Sequence, residues 1–190
     1  IITLSSALAL TLFVAQKGTT YPDAGGGYEG WTAEEVVGTL TNPHHVQVAH
    51  GGGYLYTVAD NGNTVWFYRT ANEENLNLSY VCALDTVGTN AARNAYIDAS
   101  GDYVVVSWTE RIGGIWSLVI KCSWDNGTTW PYHHVDTGAG WANYEAHVDI
   151  MGNVIHAAYV TDCPGHLEVY YKRFDMALNL QHGSYASDVA

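Results

Sequence analysis

The sequence predicts an all-β chain built from four-stranded antiparallel units of about fifty residues. Three observations carry that prediction. Of the 190 residues, 47% are hydrophobic and only 14% charged, too apolar for a disordered chain. Glycine is frequent (20) and proline rare (4), and tyrosine (14) and tryptophan (7) are abundant, which suits short strands joined by tight turns. Most telling, one hairpin pattern recurs. His45, Val48, Gly52 and Tyr54-Leu55-Tyr56 align with Asn94, Ile97, Gly101-Asp102 and Tyr103-Val104-Val105. Both align with Glu145, Val148, Gly152-Asn153 and Val154-Ile155-His156, at successive offsets of 49 and 51 residues.

The register continues beyond that hairpin. Val65 to Arg69, Ser117 to Lys121 and Glu168 to Lys172 are strand-like runs that each end on a basic residue, and Leu84-Asp85-Thr86 repeats as Val135-Asp136-Thr137. In the middle unit the predicted strands are 94–99, 103–109, 116–122 and 130–137. Ser100-Gly101-Asp102 and Met151-Gly152-Asn153 read as tight hairpins, while Gly113-Gly114 and Asp60-Asn61-Gly62-Asn63 close the second hairpin. Tyr103 to Trp108 and Val154 to Val160 do not alternate strictly, so both runs are expected to be buried on two faces.

Four antiparallel strands on this period make the blade of a β-propeller. A β-sandwich explains short strands equally well but not the fixed period. The predicted layout is an apolar leader or retained segment at 1–18, a linker with the last strand of a preceding blade at 19–38, and three blades at about 39–88, 89–139 and 140–190. Propellers close with about four to eight blades. The ring is therefore expected to be incomplete here, finished by missing blades of a longer chain or by other copies of this one.

Residues 1–15 are almost wholly apolar and resemble the core of a secretory signal, which points to an extracellular or cell-surface protein. The net charge of −12 opposes phosphate backbones, so no nucleic-acid partner is expected. Cys82, Cys122 and Cys163 lack the close spacing of a zinc or redox site and read as small buried hydrophobes. No metal and no cofactor is expected.

The middle unit contains Ser123-Trp124-Asp125-Asn126-Gly127-Thr128-Thr129-Trp130 between its third and fourth strands. This resembles the Asp box, the Ser-x-Asp-x-Gly-x-Thr-Trp repeat of sialidase-like propellers. Ser123 and Asp125 have the chemistry to clasp the turn's amides, Gly127 to take a positive φ and Trp130 to cover the hairpin. The matching places in the other two units, Arg69 to Glu73 and Lys172 to Asp175, lack the serine and glycine. The resemblance puts such boxes away from the catalytic end, so the motif speaks for fold and not for activity. Asn77-Leu78-Ser79 and Asn126-Gly127-Thr128 are glycosylation sequons, the second expected to be exposed in its turn.

Sialidases resemble one another in an arginine triad for a carboxylate, a tyrosine nucleophile paired with a glutamate, and an acid/base carboxylate. The four arginines here assemble no triad. Arg93 precedes an inner strand and is the candidate ligand-binding arginine, while Arg69 and Arg173 read as solvated. Asp98 (repeated as Asp149), Glu110 and His147 are the weak catalytic candidates, although a repeated aspartate can equally bond its adjacent glycine turn. Tyr96, Trp141, Tyr144 and His45 are candidate sugar contacts, offering flat or polar faces near the ends of inner strands. Trp108 and Trp130 read as filling between blades. The leading expectation is an extracellular propeller module that binds glycan or builds a surface assembly. The alternative is a sialidase-like glycoside hydrolase or a propeller-fold polysaccharide lyase.

Overall fold

The computed structural model of the chain describes residues 43–70, 78–85, 91–137, 142–162 and 165–185. Within them lie three four-stranded sheets and no helix. The first blade comprises β1 (His45–Gly51), β2 (Tyr54–Asp60), β3 (Val65–Arg69) and β4 (Ser79–Ala83). The second comprises β5 (Ala92–Ser100), β6 (Tyr103–Ile112), β7 (Ile115–Ser123) and β8 (Tyr132–Asp136). The third comprises β9 (Asn143–Met151), β10 (Val154–Thr161), β11 (Glu168–Asp175) and β12 (Leu180–Tyr185). Each sheet is a simple antiparallel meander in chain order. The hairpins close at Gly51–Tyr54, Ser100–Tyr103 and Met151–Val154, so the repeat read from sequence is a repeat of register.

The blades stack face to face, with β1 beside β5 and β5 beside β9. One apolar seam joins Tyr56, Val58, Val65, Phe67 and Leu84 of the first blade to Ile97, Val104, Val106, Trp108 and Val119 of the second. Another joins Val105, Leu118, Ile120 and Cys122 to Ile155, Ala157, Tyr159 and Phe174. From Val104 to Glu110 every residue of β6 is buried, as expected of a strand between two neighbours. The expectation for β10 was different from what is found. There Ile155, Ala157, Tyr159 and Thr161 face the second blade, while Ala158 on the opposite face is exposed. The third blade has a packed neighbour on one side only among the described residues, so its strand alternates.

Polar ties pin each seam, most of them from basic residues of the third strands. Lys121 donates to the Leu84 carbonyl at 2.7 Å, and burial pushes its ammonium below the ordinary lysine range. One repeat on, Lys172 pairs with the Asp136 carboxylate, which also accepts the Tyr159 hydroxyl at 2.6 Å. Arg69 corrects the solvated reading: its Nη1 donates to the Asn126 carbonyl at 2.6 Å and to Thr128 Oγ1 at 2.8 Å. Asp98 likewise bonds no adjacent glycine turn; its Oδ2 accepts the Ile150 amide at 2.6 Å, tying the second blade to the third.

The loop from Ser123 to Trp130 is clasped from within. Ser123 Oγ accepts the Gly127 amide at 2.9 Å and donates to Asp125 Oδ1 at 2.8 Å; Asp125 also accepts the amide and hydroxyl of Thr129 at 2.8 and 2.7 Å. Burial is the largest single influence and raises the Asp125 carboxyl, but the donors together outweigh it and hold it below the usual aspartate range. The third blade keeps the clasp with other residues. Asp175 accepts the amides of Ala177 and Asn179 and the Asn179 side chain, each at 2.9 Å, without the serine or glycine. The Asn126 side chain of the second sequon is half-buried: its Oδ1 accepts the Tyr56 hydroxyl at 2.9 Å and its Nδ2 lies 3.4 Å from Asp102 Oδ1 in an exposed contact. Cys122 is buried and its thiol is pushed up to about 12, while Cys82 is half-buried; both are free thiols. Cys163 lies outside the described residues.

Gly127 has φ +77 and a Cβ there would lie 2.4 Å from the Phe67 ring, whereas Gly113 has φ +60 in open space. Gly113→Ala should therefore cost about 1–2 kcal/mol of stability and Gly127→Ala about 3–5, read by urea unfolding. Equal losses would mean the Phe67 contact is unimportant. Lys172→Met removes the counter-charge of Asp136 and should cost about 3–5 kcal/mol, while Lys172→Met with Asp136→Leu should recover only part of it, because the buried Tyr159 hydroxyl then loses its acceptor.

Candidate active site

The two ends of the inner strands differ. At the hairpin end sits the Ser123–Trp130 loop, whose Asn126 amide bonds the Asp102 carbonyl at 2.9 Å. At the other end β5 and β9 are each bulged. In β5, Arg93 faces Thr109 and Tyr96 faces Ser107, so Asn94 and Ala95 share one partner. In β9, Tyr144 faces Val160 and Ala146 faces Tyr159, leaving Glu145 unpaired. The bulge residues are non-glycine at positive φ, +57 at Asn94 and +33 at Glu145. Such strain costs about 1–3 kcal/mol each and persists only where surrounding contacts enforce it.

Those contacts come from the preceding blade each time. The Ala95 amide donates to Asp60 Oδ2 at 3.2 Å, and the Ala146 carbonyl accepts Ser107 Oγ at 2.8 Å. Bulges of this kind re-aim side chains next to functional sites. Here they lift the Tyr96 and His147 positions, equivalent in the repeat, into contact: their rings stand 3.8 Å apart between centroids at 38°.

Asp60 ends β2 and is fully buried. Its second oxygen accepts the Gly62 amide at 3.1 Å, and His45 Nδ1 stands 3.5 Å from Oδ2 without completing a hydrogen bond. Burial pushes this carboxyl above the ordinary aspartate value, against the opposing pull of the Ala95 and Gly62 amides and of the nearby His45 and His44. Tyr96 shares that neighbourhood. Its phenol is raised first by burial, then by the charges of Glu145 and Asp60. A phenol thus lies within the field of two carboxylates, one from each adjoining blade.

Arg93 lays its guanidinium over the Trp116 ring, 3.8 Å from the centroid, so that face of Trp116 is already covered. The Arg93 Nε is buried and has no hydrogen-bond partner. Glu110 is fully buried and accepts the Trp108 indole N–H at 3.0 Å; its charge acts on Lys121 and Asp85 at the first seam, and Tyr96 is not among the groups it shifts. The carboxylate of Asp98 is the inter-blade tie described above. His147 is exposed beside Tyr96, and Tyr144 is half-exposed one residue before the Glu145 bulge. Trp141 lies outside the described residues.

Of the sequence candidates, Tyr96, His147 and His45 therefore gather around Asp60 and Glu145, with Arg93 and Tyr144 flanking the bulges. Asp60 and Glu145 themselves were read only as a turn residue and a repeat anchor. The available signal for Asp60 was alternation: Tyr56, Val58 and Asp60 share one face of a strand whose apolar members are core. For Glu145 the bulge removes that signal, because an extra residue shifts the alternation. Among the described residues no group of three or more His, Cys, Asp or Glu is placed to hold a metal ion.

No family model matches the sequence, and no curated protein matches it. Among solved structures the chain is similar to the GH93 α-L-arabinofuranosidase of Fusarium graminearum in complex with arabinobiose, with a TM-score of 0.58 at 10% identity, covering 78% of this chain and 50% of that one. It is similar to the Penicillium chrysogenum α-L-arabinanase complexed with arabinobiose, with a TM-score of 0.55 at 10% identity over 78% and 50% of the two chains. A looser likeness, a TM-score of 0.49 at 14% identity, is to a Trypanosoma rangeli sialidase, covering 93% of this chain and 34% of that one. At these identities the likeness establishes the fold: the three sheets are blades of a β-propeller whose ring does not close within this chain. The match spans about half the length of the first two enzymes.

Proposed function

We propose that this chain is part of a secreted glycoside hydrolase of the sialidase-like superfamily, its reaction centre at the bulged ends of β5 and β9. The observation that carries the reading is the position of Tyr96, whose phenol feels both Asp60 and Glu145 at two strained, enforced bulges. The two neighbours complexed with arabinobiose support carbohydrate as the substrate class. The clasped Ser123–Trp130 loop, with its serine, aspartate, glycine and tryptophan in place, supports its reading as an Asp box.

In this reading Asp60 is a positioning residue: fully buried, with both oxygens accepting backbone amides, it holds the bulge that presents Tyr96. The exposed His147 beside that phenol gives a proton to the leaving glycosidic oxygen. Glu145 takes the phenol proton as Tyr96 Oη attacks the anomeric carbon, which removes the need for a free phenolate. Water then releases the sugar from Oη, with His147 taking the water's proton and Glu145 returning its proton to the departing phenol oxygen. His147 and Tyr144 line the approach, and Arg93, braced on Trp116, favours a substrate oxygen or carboxylate. A glycan-binding module remains the second reading, favoured by the commitment of Asp98 and Glu110 to seams.

The test is turnover by the intact natural protein on arabino-oligosaccharides, sialosides and uronate polymers. Asp60→Asn, Glu145→Gln and Tyr96→Phe should each lower kcat/KM by about 10²–10⁴-fold. Because burial raises the Asp60 carboxyl above the ordinary aspartate value, the fold should lose stability as pH rises and that group ionises, and Asp60→Asn should flatten this dependence in urea unfolding. Turnover surviving all three substitutions would discard the assignment. Saturable glycan binding without turnover would favour the binding module.

A further inference from the structure

We infer that the open face of the third blade is a socket for a further blade, specifically one whose third hairpin carries an intact Ser-x-Asp-Asn-Gly-x-Thr-Trp loop. The forward faces of the three blades differ at equivalent register positions.

On the first blade, Tyr56 and Arg69 are cross-strand partners, as are Val58 and Phe67. This face grips the loop of the second blade. Arg69 holds the Asn126 carbonyl and Thr128 hydroxyl, Tyr56 holds the Asn126 side chain, and Phe67 lies beneath Gly127 with its edge partner Trp130 at 5.0 Å. The Tyr56 and Phe67 rings stand 5.9 Å apart at 21°.

The second blade has no such grip. The equivalent partners are Val105 with Cys122 and Ser107 with Ile120, all buried. The hairpin it receives, Asp175 to Asn179 in the third blade, has no glycine and no tryptophan; Phe174 and Leu178 pack into the apolar seam instead. An aromatic and arginine face thus meets the full loop, and an apolar face meets the reduced one.

The third blade returns to the first pattern. His156 pairs with Arg173, and Ala158 with Tyr171. The His156 and Tyr171 rings stand 5.9 Å apart at 34°, close to the Tyr56–Phe67 arrangement. Arg173 is exposed, at the register position from which Arg69 reaches across. His156 Nδ1 and the Tyr171 hydroxyl are 2.7 Å apart. With the hydroxyl donating, the ring proton sits on Nε2, which then offers the donor that Tyr56 offers to Asn126 Oδ1. The loop-gripping arginine, aromatic floor and donor are all in place.

The chain itself supplies the test. Six residues separate Asp136 from Asn143 between blades two and three. Appending a second copy of residues 91–137 after Ala190 also leaves six between Tyr185 and the copied Ala92. A control chain carries a copy of residues 142–185 instead, with the same spacing and the reduced hairpin. The first fusion should melt about 5 °C or more above the unfused chain and gain at least about tenfold hydrogen-exchange protection along β10 and β11. The control fusion should gain little. Arg173→Ala should remove most of the gain in the first fusion and leave the unfused chain unchanged. Equal gains from both copies, or a gain insensitive to Arg173→Ala, would overturn the proposal. So would a dimer of the unfused chain, seen by sedimentation, that Arg173→Ala returns to monomer, since the socket would then belong to a second copy.

Discussion

Every feature of this chain follows from one constraint: a four-stranded sheet has two faces and cannot bury either by itself. The seams between blades are where that constraint is met, and they hold nearly all the large buried side chains, Trp108, Tyr56, Phe67, Phe174, Leu118 and Ile120 among them. Apolar seams alone leave two sheets free to slide, because burial is non-directional. The hydrogen-bonded ties remove that freedom. Arg69, Lys121 and Lys172 each cross to a neighbour, and Asp60 and Asp98 each take an amide from the next inner strand.

The candidate site is a by-product of the same ties. Asp60 accepts the Ala95 amide only because the bulge at Asn94 turns that amide outward, and the bulge in turn lifts Tyr96 toward His147. A carboxylate that braces a seam is desolvated by the seam, and desolvation raises it. In the proposed mechanism Asp60 acts through the bulge it braces, whereas Glu110, equally buried, is directed to the indole of Trp108 and to the first seam. Burial alone does not distinguish the two. The direction of the side chain relative to the bulges does.

Much of this architecture was legible in the residues, because propeller strands repeat their register and register leaves a period. The hairpins at Gly52, Gly101 and Gly152 and the strands of the middle unit lie where that period puts them. Three things were not legible. Whether a repeated basic residue faces water or a neighbouring blade depends on what lies across the seam, so Arg69 read as solvated. A clasp made by Asp175 and Asn179 shares no motif with one made by Asp125 and Thr129, although the bonds are the same. Non-glycine residues at positive φ carry no sequence signature, and both bulges, with Glu145 and the aim of Tyr96, were hidden by that.

The degenerate hairpin also changes how a missing motif is to be understood. The loop of the second blade needs Gly127 because Phe67 rises against it, and needs Trp130 because that ring's edge must be covered. The loop of the third blade meets Leu118, Ile120 and Cys122, which demand neither. Loss of the glycine and tryptophan there is thus a consequence of the face opposite and not a decay of the fold. A loop sequence and the forward face of the preceding blade are two halves of one interface. The exposed Arg173, with the half-buried Tyr171 floor and His156 donor of the third blade, forms one half of such an interface.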